Sequence, residues 1–192
     1  DPGPFTAKGL FYSIEQAIQT YFSENLLGKR IAIQGAGSVG KRLAEYLASS
    51  GAYVFISDID RSKLSNIDNH NITCVEDAFS IECDLFSPCA VGAIFTKDSI
   101  NNLKCKIIAG GANNQLIDAS IAENLLEKNI VFIPDTLINS GGVIGLTKDY
   151  LKRDDAETEQ ALRDIANRVK DLMIESQNSS ISIYQALNNR SL

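Results

Sequence analysis

The chain has 192 residues and a formal net charge of −6 at pH 7. This length suits one large domain or two very small ones, and it is enough to bury a full core. Its acidic balance argues against nucleic acid or an anionic membrane as a partner, because both call for a basic face. No apolar run approaches the length of a membrane span and no secretory signal pattern opens the chain, so we expect a cytoplasmic protein.

The metal-binding and thiol chemistry of the chain is limited by its histidine and cysteines. The single histidine, His70, lies in a polar run, and Cys74, Cys83, Cys89 and Cys105 show no C-x-x-C spacing. We therefore expect no metal site. Each cysteine has apolar neighbours and is predicted to be a small buried residue in a reducing cytosol. A disulfide or a catalytic thiol is the disfavoured alternative, since no second histidine could activate a nucleophile.

The first predicted element is a helix over residues 6–22. Thr6 is expected to cap it. Its apolar face repeats at helical intervals and comprises Leu10, Ile14, Ala17, Ile18, Tyr21 and Phe22. Residues 25–28 close the helix.

A strand, a glycine turn and a second helix follow. Residues 31–33 form a short apolar run that leads into Gly35, Gly37 and Gly40, at the spacing G-x-G-x-x-G, and helical periodicity begins after them. In this pattern the first glycine permits a tight turn, the second lets a pyrophosphate approach the backbone, and the third lets the helix lie close to the strand. The N–H groups at the helix N-terminus attract phosphate. Three glycines alone also occur by chance in loops, so the context decides.

That context is a second apolar strand, residues 53–56, which ends just before Asp58. This carboxylate lies 23 positions after Gly35, where the dinucleotide-binding pattern needs an acid for the adenosine ribose hydroxyls. An acid here disfavours a 2′-phosphate, so NAD is predicted over NADP, although Arg61 could reach a phosphate. The alternative role for Asp58 is to cap the next helical segment, for which Asp60 is better placed.

The remaining pattern alternates strands with helical segments. Strands are predicted at residues 72–75, 83–86, 106–109 and 130–133, with helical turns within 61–71 and 98–103, a helix over 118–126, and flanking helical structure over 155–188 that ends in a short helix at 181–187. This alternation predicts an α/β fold of the Rossmann-like doubly wound type, with a mostly parallel sheet and helices on both faces. Residues 1–192 are expected to form a single dinucleotide-binding domain.

Polar and glycine-rich segments follow the predicted strands. Because ligands bind beyond the carboxyl ends of parallel strands, we expect a shared site there. Each segment alone is most simply a loop, but their repetition along one edge favours ligand binding. These segments are residues 35–40, Asp58, 87–92, 110–115 and 135–142.

Six motifs together resemble a known family: DPGPFTAKG, GAGSVG, SDID, ECDLFSPCAVG, IIAGGANNQL and INSGGVIG. Their order and spacing resemble the C-terminal NAD-binding domain of the Glu/Leu/Phe/Val dehydrogenases, in particular the leucine, valine and phenylalanine branch, over nearly the whole chain. The resemblance implies oxidative deamination of an L-amino acid to its 2-oxo acid and ammonia, with hydride transfer to NAD.

The same resemblance implies roles for individual residues. Asn139, Val143 and Leu146 would contact the substrate, and the two aliphatic side chains favour an apolar amino acid over glutamate. Departures from the family pattern are Asn113, where aspartate is common, and Gly145, where a larger polar residue is usual. The implied cofactor-binding residues are Thr6, Gly35, Ala36, Gly37, Ser38, Val39, Gly40, Asp58, Ile59, Cys89, Ala90, Asn114 and Asn139.

No lysine of the chain has the glycine-rich setting that the family's acid–base lysine would need. We therefore expect no catalytic residue in this chain, with the catalytic residues in an N-terminal domain that the chain does not contain, and a homo-oligomer as the full-length enzyme. The competing hypothesis is a regulatory NAD-sensing module without catalysis. It would share the three glycines and Asp58, but it gives no reason for the motifs DPGPFTA and INSGGV.

Overall fold

The computed structural model describes residues 2–90 and 92–190. Asp1 and Val91, which belong to two of the motifs, and residues 191–192 lie outside the described part. Six strands form one sheet in the order β3-β2-β1-β4-β5-β6, and every pair is parallel. The strands are β1 Arg30–Gln34, β2 Tyr53–Ser57, β3 Ile72–Cys74, β4 Leu85–Pro88, β5 Ile107–Ile108 and β6 Val131–Phe132.

Seven α-helices and three 3₁₀ turns connect and flank these strands within the described residues. The helices are α1 Gly3–Phe22, α2 Ser38–Ser49, α3 Ser120–Glu127, α4 Asp135–Ile138, α5 Gly141–Thr147, α6 Asp155–Ser179 and α7 Ile183–Asn189. The 3₁₀ turns are Arg61–Leu64, Ala78–Ser80 and Ser99–Asn102. The short crossover expected after Asp58 is confirmed as the first of these turns.

The sheet is buried on both faces because its strand residues alternate between two cores. One core contains Ile31, Ile33 and Leu85 together with the apolar faces of α1, α2 and α6. The other contains Ala32 and Phe86 together with α3 and a group of phenylalanine rings. The predicted Rossmann-like α/β fold with helices on both faces is therefore confirmed, and the sheet is entirely rather than mostly parallel.

Helix α1 begins three residues earlier than predicted, and Thr6 is not its cap. The N-cap is Pro2, and Pro4 lies in the first turn, where the fixed φ of proline suits a helix and its missing N–H is no loss. The Thr6 hydroxyl donates instead to the Pro2 carbonyl, at 3.1 Å.

The end of one strand also differs from the sequence prediction. Strand β4 continues through Pro88, whose register partner is Gln34; a proline is tolerated at this last position because the ladder needs no further N–H from it. Two helices occupy the region 155–188, as the sequence predicted, because Ser180 adopts a left-handed conformation (φ +52°) and Ser182 caps α7.

The segment 135–142, predicted to be a loop, is instead mostly helical, since it contains α4 and the start of α5. Glycines normally disfavour helices, but here they allow a close approach to α1. A Cβ on Gly141 would lie 2.6 Å from the carbonyl oxygen of Phe5, and one on Gly145 would lie 2.2 Å from the Phe5 ring. Gly145 therefore departs from the family pattern because the Phe5 ring occupies the space that a side chain at position 145 would need.

Candidate cofactor site

The candidate site lies where the chain reverses its direction of travel across the sheet. Strand β1 is flanked by β2 on one side and β4 on the other, so the loops that follow β1 and β4 leave in opposite directions. Such a switch point opens a crevice beyond the carboxyl ends of the strands, and ligands of doubly wound sheets bind there.

The three positions after β1 are occupied by glycine for different structural reasons. Gly35 has φ +104°, and a Cβ there would lie 2.8 Å from the Ala90 Cβ; a Cβ on Gly40 would lie 1.9 Å from the Gly35 carbonyl oxygen. The fold itself therefore needs glycine at these two positions. A Cβ on Gly37 would meet no heavy atom within 4 Å, so the fold leaves open space beside this residue.

That space lies at the start of α2. Gly37 is the N-cap of this helix, in an extended conformation (φ −77°, ψ −166°), and has no side chain with which to cap it. The first N–H groups of a helix lack partners within the helix and lie at the positive end of its dipole. Open space at such an end fits the diphosphate of a dinucleotide.

Asp58 is nearly buried and ties the glycine turn to the end of β2. Its side chain is 6% exposed. One carboxylate oxygen accepts from the N–H of Ala36 at 2.8 Å, the other accepts from the N–H of Asp60 at 2.9 Å, and the Lys63 ammonium lies 3.3 Å and 3.5 Å from the two oxygens. Burial by itself raises the pKa of this carboxyl, but these three donors outweigh it and hold the pKa below its ordinary value of 3.8.

The cap of the 3₁₀ turn after β2 is Asp60 and not Asp58, as the sequence favoured. The Asp60 carboxylate accepts from the N–H and the hydroxyl of Ser62. Ile59, between the two acids, is fully exposed. A cavity of about 520 Å³ opens beside Asp58 and is lined by Asp58, Arg61, Leu64, Ser65, Cys74, Val75 and Glu76.

Two cations lie at this end of the site, and the sequence prediction named only one of them. Lys63 was not singled out; it lies five positions after Asp58, in the 3₁₀ turn that follows β2. Arg61, which the sequence left as a residue able to reach a phosphate, donates its guanidinium N–H to the Glu76 carboxylate at 2.9 Å.

Cys89 and Ala90 form the opposite side of the crevice, after β4. The Cys89 N–H donates to the carbonyl of Gln34 at 2.7 Å, and Ala90 packs beside Gly35. Burial raises the pKa of the Cys89 thiol. Within the described residues no disulfide forms.

The other three cysteines divide between the interior and the surface. Cys83 and Cys105 are buried, and burial raises the pKa of each thiol to about 12. The expectation that each cysteine is buried is wrong for Cys74, which is exposed, and only partly right for Cys89, which is half-buried. Cys74 ends the edge strand β3, which pairs with a neighbour on one side only. His70 is also exposed.

Asn139, at the end of α4, joins the segments that follow β5 and β6. Its side-chain amide donates to the Gly111 carbonyl at 2.9 Å and to the Asn113 side-chain oxygen at 2.8 Å. Its own side-chain oxygen is buried and has no partner among the described residues. A Cβ built on Gly111 would lie 3.2 Å from Val39 and 3.7 Å from this oxygen. The glycine turn and Asn139 therefore border the same part of the crevice.

Asn114 adopts a left-handed conformation, with φ +52°, which asparagine tolerates better than most residues. Its N–H donates to the Asp135 carboxylate at 2.9 Å. The fully buried Gln115 donates to the carbonyls of Gly110 and Ala112 at 2.8 Å and 2.9 Å. Asp135 and Gln115 thus fix this loop. Gln115 lay within the predicted ligand loop, but its structural role required the fold.

Thr6 and helix α5 lie beside each other at the end of the candidate site nearest Asn139. A Cβ on Gly142 would lie 2.8 Å from the Thr6 hydroxyl oxygen, which places the start of α1 beside α5. Val143 and Leu146, on α5, are 62% and 67% exposed, so both aliphatic side chains lie open to solvent.

Residues 2–90 and 92–190 contain no cluster of three or more histidine, cysteine or acidic side chains that could hold a metal ion. Over the same residues, no helix has the length and apolar character needed to cross a membrane.

Comparison with known proteins identifies the family. Residues 3–62 and 56–190 match the family described as Glutamate/Leucine/Phenylalanine/Valine dehydrogenase. The chain belongs to this family. Its relatives within the family include the leucine dehydrogenase of Thermoactinomyces intermedius, which is 37% identical over 79% of this chain and 42% of the relative. The phenylalanine dehydrogenase of Lysinibacillus sphaericus is 40% identical over 72% of this chain and 39% of the relative.

A solved structure of similar sequence supports the fold. The crystal structure of L-tryptophan dehydrogenase from Nostoc punctiforme matches with a TM-score of 0.93 and 30% identity, over 98% of this chain and 59% of that one. The chain spans about half the length of the curated relatives that it matches.

Proposed function

We propose that this chain is the NAD-binding part of a dehydrogenase that oxidatively deaminates an apolar L-amino acid to its 2-oxo acid. The observation that carries the proposal is the open space at Gly37, beside the start of α2. The positions on either side of it, Gly35 and Gly40, need glycine for the fold. Gly37 has no such need, so a ligand that approaches the backbone explains it best.

The proposed arrangement runs along the strand ends from adenosine to nicotinamide. Asp58 and Ile59 would hold the adenosine end, and residues 35–40 the diphosphate. Cys89, Ala90 and Asn114 would flank the middle of the cofactor. Thr6 and Asn139 would meet the nicotinamide end, where the buried and unpartnered Asn139 oxygen is an available acceptor for an amide N–H. Bound NAD would supply the hydride acceptor of the reaction.

The substrate part of the proposal depends on α5. Val143 and Leu146 are aliphatic, exposed and follow Asn139 closely in the chain, so they would present an apolar surface to a substrate side chain. The names of the relatives, which are leucine, phenylalanine and L-tryptophan dehydrogenases, support an apolar amino acid. We propose that the acid–base residues belong to a part of the protein outside this chain, and that the full-length enzyme is a homo-oligomer.

The test separates cofactor binding from catalysis. Calorimetry measures NAD binding to this chain, and NADH absorbance measures the oxidation of L-leucine, L-valine and L-phenylalanine by this chain and by the full-length protein. We expect the chain to bind NAD without turnover and the full-length protein to oxidise at least one substrate. Turnover by the chain alone would overturn the division of roles. NAD binding without turnover by the full-length protein would favour the sensing module.

A further inference from the structure

The ribose-binding carboxylate of the proposed site already has a cation on it. The Lys63 ammonium lies 3.3 Å and 3.5 Å from the two oxygens of Asp58. The Lys63 side chain is 45% exposed and that of Asp58 is 6% exposed. Lys63 is therefore the member of the pair that faces solvent, and a ligand that reaches the Asp58 carboxylate also meets the ammonium in contact with it.

The ammonium also limits the acceptors that Asp58 can offer. A carboxylate has about four acceptor positions. The N–H groups of Ala36 and Asp60 occupy one acceptor position on each oxygen. The Lys63 ammonium lies across the two acceptor positions that remain. The ribose hydroxyls of NAD would have to displace or share the Lys63 contact, whereas a phosphate on the 2′-oxygen would find a positive charge in place.

The second nearby cation, Arg61, lines the cavity beside Asp58 but pairs with a different acid. Arg61 donates to Glu76 at 2.9 Å, and these side chains are 77% and 86% exposed. Arg61 and Lys63 are two residues apart in the same 3₁₀ turn. Of these two, only Lys63 contacts Asp58, the acid that would bind the ribose. The structure thus separates two cations that the sequence alone could not rank.

We propose that Lys63 is a specificity-determining residue that lets this site bind dinucleotides with a 2′-phosphate, such as NADP, in addition to NAD. This inference rests on the proposed dinucleotide site. Lys63 offsets the charge of Asp58 that would repel the phosphate, and its flexible four-carbon stem lets the ammonium move from the carboxylate to the phosphate. When NAD binds, the same ammonium competes with the ribose hydroxyls for Asp58.

The competition gives a prediction with opposite signs for the two cofactors. Calorimetry with the 192-residue chain compares NAD and NADP binding to the wild type, Lys63→Met, Lys63→Arg and Arg61→Met at one fixed salt concentration. Lys63→Met is expected to weaken NADP binding by about tenfold or more, the value of one charge-assisted contact, and to leave NAD binding equal or tighter. Lys63→Arg should retain NADP binding, because it keeps the charge.

Arg61→Met is the matched control, since it removes the same charge from the same turn. We expect it to change the ratio of the NADP and NAD dissociation constants by less than about twofold, because Arg61 is exposed and paired with Glu76. Thermal unfolding of each variant checks that the fold is retained.

Three results would overturn the inference. The first is that the wild-type chain binds NAD but not NADP. The second is that Lys63→Met leaves the ratio of the NADP and NAD dissociation constants unchanged. The third is an effect of Arg61→Met on this ratio as large as that of Lys63→Met, which would mean that any nearby positive charge attracts the 2′-phosphate. In each of these cases NAD binding persists and the proposed function stands. If neither dinucleotide binds the wild type, both proposals fail.

Discussion

Replacing Gly37 by valine should separate cofactor binding from folding. The backbone there is extended with φ −77°, which valine adopts readily, and a Cβ would meet no heavy atom within 4 Å. Exchanging glycine for a poor N-cap residue costs less than about 1 kcal/mol of helix stability. The folded chain should therefore accept the substitution.

The same substitution should weaken NAD binding strongly. A valine side chain would fill the space where the diphosphate meets the first N–H groups of α2. Losing two charge-assisted hydrogen bonds at about 1.5–3 kcal/mol each weakens binding by about 3–6 kcal/mol, which is roughly a 10²- to 10⁴-fold rise in the dissociation constant for NAD. Calorimetry gives this constant, and thermal unfolding of the free variant gives its stability.

Gly40→Ala provides the contrasting variant in the same turn. Its Cβ would lie 1.9 Å from the Gly35 carbonyl oxygen, so the turn and the helix must move apart. A destabilisation of about 2 kcal/mol lowers the unfolding midpoint of a chain of this size by about 4–8 °C. Unchanged NAD affinity in Gly37→Val, or a fall in its stability as large as that of Gly40→Ala, would refute the assignment of the open space to the cofactor.

The remaining predictions concern acid stability, a buried amide and thiol reactivity. Because the folded pKa of Asp58 is lowered, its contribution to stability is complete above about pH 3.8 and disappears as pH falls through the folded value; in urea unfolding from pH 2 to 7, Asp58→Asn should reduce this acid dependence, and an unchanged profile would contradict it. Gln115→Leu should lower the unfolding free energy by about 1–3 kcal/mol, since two buried carbonyls lose their donor; an unchanged urea midpoint would argue against the bridge. A thiol reagent at pH 8 should modify the exposed Cys74 fast in the native chain, whereas Cys83 and Cys105, with pKa values of about 12, should react only after unfolding; fast native reaction of either would refute their burial.

The features that the sequence predicted correctly depend on local rules. Periodicity located most of the strands and helices, and glycine spacing located the turn after β1, because both patterns record constraints on a few neighbouring residues. One of the two errors has a tertiary cause and the other a local one. Helix α5 escaped prediction because its glycines serve contact with Phe5, and α1 begins early because Pro4 favours the first turn of a helix.

Residue types and their spacing determined the alternation of strands and helices, the glycine turn and the acid after β2. The family resemblance followed from the same local information. Only the tertiary structure decided that Asp58 binds the Ala36 N–H, that Asn139 binds the Gly111 carbonyl, and that Lys63 rather than Arg61 covers Asp58. The first two contacts join residues more than twenty positions apart, and the third depends on where one 3₁₀ turn directs two flexible side chains. Such contacts are set by the packing of the whole sheet, and for this reason local patterns do not record them.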